Sequence, residues 1–183
     1  MSDMICNRRP NHCCNTKCDP CRDKKDPCRD KEDHCHDKDR KPCREENRVE
    51  FRFDENTPAP PTPIPTTNPG VELLAVRFDE VERGDRVWLN GVIAVDNTTA
   101  SIIRLTIRIV KDSPNMTPTT IYTLTVEIDV SSADDVSAIP FSHVDVNNAD
   151  LFDVRYRVFA SANATGLVSQ GPNTLTALRF ERK

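Results

Sequence analysis

The most reactive side chains in this sequence are eight cysteines, all within the first 43 residues. Four of them follow one another seven residues apart, and nearly every residue between them is Arg, Lys, Asp, Glu or Pro. Clustered thiols can bind a metal, close disulfides within a chain or join chains. The eight are Cys6, Cys13, Cys14, Cys18, Cys21, Cys28, Cys35 and Cys43.

The sevenfold spacing does not indicate a coiled coil. A coiled coil needs two apolar positions in every seven residues, whereas the cysteine is the only such residue that recurs here. Pro20 and Pro27 directly precede Cys21 and Cys28, and a proline removes a helical hydrogen bond and clashes with the preceding turn. The repeat therefore supplies one thiol per unit, not a helical seam.

Zinc binding is one alternative for these side chains, because thiolate and imidazole are the usual ligands of structural zinc. The sequence contains one C-x-x-C pair, whereas a two-knuckle site needs two. A charged tail with incidental cysteines is another alternative, since high charge and few aliphatic residues favour disorder. The candidate zinc ligands are Cys18, Cys21, His34, Cys35 and His36.

Two disulfide arrangements also remain open, a compact scaffold within the chain and a ladder that crosslinks neighbouring subunits. Eight cysteines allow 105 pairings within one chain. Adjacent Cys13 and Cys14 do not readily bond to each other, so we expect their sulfurs to find separate partners, on one chain or on two. The spacer described below favours the crosslinking ladder, because a tethered module is suited to reaching a neighbour.

Composition divides the chain into three segments. Residues 1–48 form the cysteine-rich arm. Residues 49–69 contain a short stretch, VEFRFDE, that alternates like an isolated strand, and then six prolines without a charge. At roughly 3.1 Å per residue, such a proline-rich stretch predicts a semi-rigid spacer of about 40 Å. Residues 70–183 form the third segment.

The third segment predicts an all-β domain. It contains six to eight short stretches rich in Val, Ile, Thr and Leu, separated by turn-forming clusters. In RLTIRIV, residues 104–110, Leu105, Ile107 and Ile109 alternate with polar residues. We therefore predict an antiparallel β-sandwich of jelly-roll type, large enough to fold without the cysteines.

Several functions are disfavoured by the sequence. Charges of both signs are mixed in each segment, unlike a nucleic-acid-binding tail. No apolar run approaches the ~18 residues of a membrane helix, and the N-terminus lacks the apolar region of a signal peptide. Catalysis by His143 as a base, oriented by Asp145, is disfavoured. Residues 145–150 are interpreted as a solvated turn because they fit no EF-hand. We expect no enzyme activity and no cofactor.

The stretch HCCNTKC, which holds Cys13, Cys14 and Cys18, precedes a spacer and a single sandwich. This layout resembles the endospore appendage and exosporium jelly-roll proteins of spore-forming Firmicutes. The resemblance implies a structural subunit on the spore surface that is made without a cleavable signal peptide. It implies sheet augmentation between subunits, disulfides from the N-terminal connector, and as partners copies of itself and other spore-surface proteins. Because this sandwich contains no cysteine, any crosslink runs from arm to arm.

Overall fold

The computed structural model describes residues 48–130 and 136–182, and every regular element in these residues is a β-strand. All strand pairs in this part of the chain are antiparallel. Within the same residues, no helix is long and apolar enough to span a membrane. The strands are β1 (Val49–Asn56), β2 (Thr62–Pro63), β3 (Val71–Val81), β4 (Arg86–Asn97), β5 (Ile103–Ser113), β6 (Met116–Ile128), β7 (Ser137–Val146), β8 (Leu151–Ala162), β9 (Leu167–Ser169) and β10 (Asn173–Phe180).

The strands form two sheets with the connectivity of a jelly roll. In sheet A, β10 lies between β1 and β4, and β7 pairs with the opposite edge of β4. The short strands β2 and β9 continue the lines of β1 and β10. Sheet B has the order β3-β8-β5-β6. If β1 and β2 are counted as one interrupted strand, and β9 and β10 as another, eight strands lie in two four-stranded layers. The predicted fold class is therefore confirmed.

The core lies between the two sheets and follows the predicted alternation. Leu105, Ile107 and Ile109 on β5 are completely buried, whereas Arg104 on the same strand is exposed. Opposite them, sheet A contributes fully buried apolar side chains such as Leu89. Burying one such side chain stabilises the fold by about 1.5–3 kcal/mol. The period of two therefore predicted the inward face of β5 correctly.

Residues 49–69 differ from the predicted isolated strand and spacer. The whole of β1 pairs with β10, from Val49 opposite Phe180 to Asn56 opposite Asn173. Further along, the Ile64 side chain is 3% exposed, and its N–H donates to the Leu167 carbonyl at 2.9 Å. The spacer interpretation is therefore wrong, because core packing and backbone hydrogen bonds hold this segment against the sandwich. Its prolines are tolerated because a residue at a sheet edge need not donate a ladder hydrogen bond.

Strand β1 has the reverse side-chain orientation of a usual sandwich strand, whose apolar residues point inward. Its apolar residues Val49, Phe51 and Phe53 point to solvent and are 52–57% exposed. The alternate polar residues point inward and are partly buried. A polar inward face is costly unless its groups find hydrogen-bond partners. For Arg52, Asp54 and Asn56 these partners are backbone groups of β3.

The inward polar side chains of β1 cover the edge of β3, which pairs with β8 on its other side. The bonds run from Arg52 Nε to the Arg77 carbonyl (3.0 Å), from the Ala75 N–H to Asp54 Oδ2 (2.8 Å) and from Asn56 Nδ2 to the Leu73 carbonyl (3.2 Å). An unpaired strand edge is a template for unwanted pairing, and polar side chains that occupy it block that pairing. The inversion of β1 thus closes one edge of sheet B.

Gly171 lies where the chain passes from β9 to β10, beside the end of β1. Its φ is +74°, and a Cβ added there would lie 2.8 Å from Thr57 Cα and 2.9 Å from the Asn56 carbonyl oxygen. We expect Gly171→Ala to lower the free energy of unfolding by roughly 2–3 kcal/mol, combining the positive-φ penalty with a backbone clash. Urea unfolding of both proteins measures the loss.

Gly84→Ala provides the matched control for this substitution. Gly84 also has a positive φ, 93°, but its added Cβ would meet only the side chain of Arg182, which can move away. We expect a loss of about 1 kcal/mol, the backbone penalty alone. Equal losses for the two variants would contradict a close approach between Gly171 and Thr57.

Candidate assembly interface

The outer surface of sheet A is a continuous grid of side chains from four strands. The register places Val144, Trp88, Leu178 and Phe51 in one row, each on the strand next to the previous one. Three further rows run parallel to it, and we call these sixteen positions the sheet A face. It comprises Val146, Val144, Ser142 and Pro140 from β7, Arg86, Trp88, Asn90 and Val92 from β4, Phe180, Leu178, Thr176 and Thr174 from β10, and Val49, Phe51, Phe53 and Glu55 from β1.

The sheet A face is apolar and almost without charge. Arg86 and Glu55 are its only charged residues, and its large apolar side chains remain accessible, with Phe51 at 57% and Val144 at 52%. Single exposed apolar residues are common on proteins, but contiguous ones mark interaction surfaces. The residues of β1 were missed in the sequence because alternation in VEFRFDE does not tell which side points inward.

The outer surface of sheet B has the opposite character. Basic and acidic side chains from neighbouring strands form ion pairs across it, and this composition suits contact with water. The pairs are Arg77 with Asp153 (2.5 Å), Arg104 with Glu127 (3.4 Å), and Arg157 with both Glu72 (3.4 Å) and Asp112. Exposed pairs of this kind add little stability, so their main consequence is that the two faces of the sandwich differ in solvation.

Trp88 lies near one end of the sheet A face. Its indole Nε1–H donates to Ser142 Oγ at 2.9 Å, so the ring is anchored toward β7. Together with Arg86, Val144 and Phe180 it lines an open depression in the surface. The side chain is 39% exposed, so it lies on the surface of the sandwich and not in the core. An amphipathic tryptophan anchored in this way is common at interfaces.

Comparisons with known proteins assign no family. No protein-family model and no curated protein matches the sequence. Similar solved structures include the infectious bursal disease virus Gt strain, with a TM-score of 0.44 and 14% identity over 75% of this chain and 38% of that chain. The VP2 subviral particle of the same virus gives a TM-score of 0.44 and 13% identity, over 72% of this chain and 32% of that chain. The T=1 particles derived from the virus give a TM-score of 0.45 and 12% identity, over 74% of this chain and 36% of that chain.

The chain spans about a third of the length of these viral chains. Similarity at this level does not assign a function.

The predicted crosslinking cysteines all lie outside the described residues, and so do the alternative zinc ligands Cys18, Cys21, His34, Cys35 and His36. Their pairing and their metal binding stay predictions. Over residues 48–130 and 136–182, no three or more His, Cys, Asp or Glu side chains are grouped to hold a metal ion.

Asp145 and Asn147 belong to a buried polar cluster, so the prediction of a solvated turn is wrong at these two residues. Asp145 Oδ2 accepts hydrogen bonds from Lys111 Nζ at 2.7 Å and from the Tyr156 hydroxyl at 2.8 Å. Asn147 is 1% exposed and its Oδ1 also accepts from Lys111 Nζ. Because a buried charge must be paired, Lys111 draws these two residues inward.

His143 and Asp145 do not pair as a catalytic base and its orienting carboxylate. Its ring instead lies beside that of Tyr122, with centroids 5.3 Å apart. The Asp145 carboxylate is engaged by Lys111 and Tyr156 on the inner side of the sandwich. The Asp145 carboxylate therefore ties β5, β7 and β8 together.

Tyr156 makes this cluster sensitive to alkaline pH. Burial, and then the neighbouring Asp145 carboxylate, raise the pKa of its hydroxyl above the usual value, which is about 10 for tyrosine. Above pH 10 the unfolded chain loses this proton while the folded chain keeps it. The unfolded state then binds fewer protons, so this contribution to stability is lost as pH rises, by about 1.4 kcal/mol per pH unit.

We therefore expect the parent protein to lose roughly 1.4 kcal/mol more stability than Tyr156→Phe between pH 9 and pH 11. Urea unfolding at the two pH values measures the difference. Tyr122→Phe, which keeps Tyr156, is the matched control and is expected to behave like the parent. Identical losses in the parent and Tyr156→Phe would contradict the buried hydrogen bond to Asp145.

Proposed function

We propose that this chain is a non-enzymatic structural subunit that self-assembles into a fibre or surface layer. The observation that carries the proposal is the contrast between the two faces of the sandwich. Sheet B presents paired charges to water, whereas the sheet A face exposes Phe51, Trp88 and Val144 among almost uncharged neighbours. An apolar surface of this kind is stable in water when another surface covers it.

In this proposal the cysteine arm fixes the assembly covalently. The arm leads directly into Val49, the first residue of β1 and of the sheet A face. Thiols carried next to a contact between subunits are brought to high effective concentration when the subunits meet. Disulfides then form between arms, because residues 44–183 contain no cysteine to receive them.

The site of the assembly is the spore surface, and its other partners are spore-surface proteins. This part of the proposal is supported by the resemblance in the arm at Cys13, Cys14 and Cys18. Immunogold labelling of sporulating and vegetative cells tests it. Label on the spore surface alone is the expected result, and label on vegetative cells would overturn the assignment.

Denaturing gel electrophoresis without and with reductant, with zinc quantified on the same sample, tests the crosslinking. The expected result is a ladder of high-mass species that collapses to the 20.7 kDa chain on reduction. A monomer in both lanes with stoichiometric zinc would instead identify the arm as a metal-binding module tethered to an inert β-domain. That outcome would overturn the crosslinking role.

A further inference from the structure

We infer that the sheet A face binds the sheet A face of a second copy, turned by 180°, so that Arg86 of each copy meets Glu55 of the other. This inference rests on the proposed function and names the partner that covers the apolar surface. Three observations on the chain lead to it: the composition of the arm, the positions of the two charges and the area of the face.

The arm of the same chain is a poor cover for this surface. Residues 1–47 contain no Phe, Tyr, Trp, Leu, Val or Ala, and their only large aliphatic side chains are Met1, Met4 and Ile5. A segment of Arg, Lys, Asp and Glu would lose hydration on an apolar sheet without gaining matching contacts. A surface complementary to the sheet A face has to be apolar, and a second copy offers one.

The two charges of the face lie at its opposite ends. Arg86 shares the first row with Val146 and Phe180, whereas Glu55 is in the last row opposite Thr174. A two-fold contact uses the same patch on both copies. Arg86 on β4 and Glu55 on β1 are also two strands apart. A two-fold axis that lies in the plane of the contact, perpendicular to the line from Arg86 to Glu55 and through its midpoint, exchanges these two positions, so opposite charges meet twice.

Both charged side chains are available for this contact. Arg86 and Glu55 are exposed, and in residues 48–130 and 136–182 neither forms a hydrogen bond or an ion pair within the chain. Arg52 and Arg157, by contrast, are engaged within the sandwich. Substituting Arg86 or Glu55 therefore changes the outer surface and leaves the packing of the sandwich intact.

The area of the face predicts a weak contact. Strands about 4.8 Å apart, with about 3.4 Å per residue along the seven positions from Val49 to Glu55, give roughly 450 Å² on one copy. Complete overlap of two such faces would bury roughly 900 Å², and the oblique axis buries less, so the contact lies below the ~1,200–2,000 Å² of long-lived complexes. The contact is therefore reversible by itself, and disulfides between arms are needed to make it permanent.

Trp88 reports this contact directly, because it is the only tryptophan of the chain and lies on the face. We would follow its emission and the sedimentation of the full-length chain in reductant, over a range of concentrations. Association is expected to shift the emission to shorter wavelength as the ring leaves water. Sandwich stability, followed by circular dichroism, shows that each variant is folded.

The decisive experiment uses the charge reversals Arg86→Glu and Glu55→Arg. Each variant alone places like charges together twice, and we expect its dissociation constant to rise at least tenfold. In an equimolar mixture, a face with two acidic ends meets a face with two basic ends. Opposite charges then meet at both contacts again, so we expect association close to that of the parent. Arg77→Glu, on the outer surface of sheet B, is the matched control and is expected to leave self-association unchanged.

A mixture that associates no better than the separate variants would overturn the inference. So would parent protein whose Trp88 emission does not change with concentration in reductant. If such protein still forms reducible assemblies when oxidised, the proposed structural function stands and only the contact through sheet A fails. If no assembly forms under either condition, the proposed function fails as well.

Discussion

Replacing Asp85 by alanine is expected to lower the free energy of unfolding by roughly 3–5 kcal/mol, the cost of breaking a buried ion pair. Asp85 is 1% exposed and lies between β3 and β4. Its Oδ2 accepts from Arg179 Nε at 2.9 Å and from the Glu82 N–H at 3.0 Å, while Oδ1 accepts from the Arg182 N–H at 3.0 Å. One carboxylate thus satisfies three donors.

The loss is large because Arg179 stays buried after the substitution. Its side chain on β10 is 9% exposed. Its terminal nitrogens keep the Glu50 and Glu181 carboxylates, each at 3.1 Å, and the Glu80 carbonyl as acceptors. None of these accepts from Nε, and a buried charged donor without an acceptor is costly. Because Arg179 links β10 to Glu50, weakening it also loosens the attachment of β1, which carries the arm.

Urea unfolding of the parent, Asp85→Ala and Asp85→Asn measures the effect, with Asp79→Ala as the matched control. Asp79 is an exposed carboxylate on β3, so its removal is expected to change stability by no more than about 0.5 kcal/mol. Asp85→Asn keeps one oxygen that can accept from Arg179 Nε and the Glu82 N–H. Its free energy of unfolding is expected to lie between those of the parent and Asp85→Ala. A loss below 1 kcal/mol for Asp85→Ala would contradict the buried ion pair.

Changing all eight cysteines to serine is expected to abolish assemblies that resist heat and detergent. The sandwich should keep its stability, because residues 44–183 contain no cysteine. Gel filtration after treatment with detergent at high temperature separates the two effects: the parent stays large, and the variant runs as the single chain. Circular dichroism melting of the reduced proteins is expected to give the same midpoint for both.

A variant in which only Cys14, Cys21, Cys28 and Cys35 become serine separates the heptad thiols from the other four. If the ladder joins subunits along an assembly, this variant is expected to form much shorter crosslinked species. Assemblies of the all-serine variant as resistant as those of the parent would contradict a role for disulfides.

The sequence predicted the fold wherever a strand's own pattern decides its orientation. In β5 the apolar residues Leu105, Ile107 and Ile109 point inward, as the alternation indicates. Strand β1 shows the same period with the opposite orientation, because its polar side chains bond to the edge of β3, about 20 residues further along the chain. The orientation depends on that neighbour, so the local pattern could not predict it.

The candidate interface could be predicted from the sequence only in part. The residue type of Trp88 is compatible with either a core or an interface, and the row from Val144 to Phe51 exists only once four strands are aligned. The burial of Asp145 depends in the same way on Lys111, which lies 34 residues earlier. Contacts at such separations come from the topology, which neither periodicity nor spacing encodes.

Sedimentation velocity of the full-length chain, oxidised in one sample and reduced in the other, shows whether this chain is a self-assembling structural subunit. In the oxidised sample we expect large species that persist on dilution. In the reduced sample we expect a rapidly reversible equilibrium that shifts toward monomer on dilution. A single 20.7 kDa species at every concentration in both samples would contradict self-assembly.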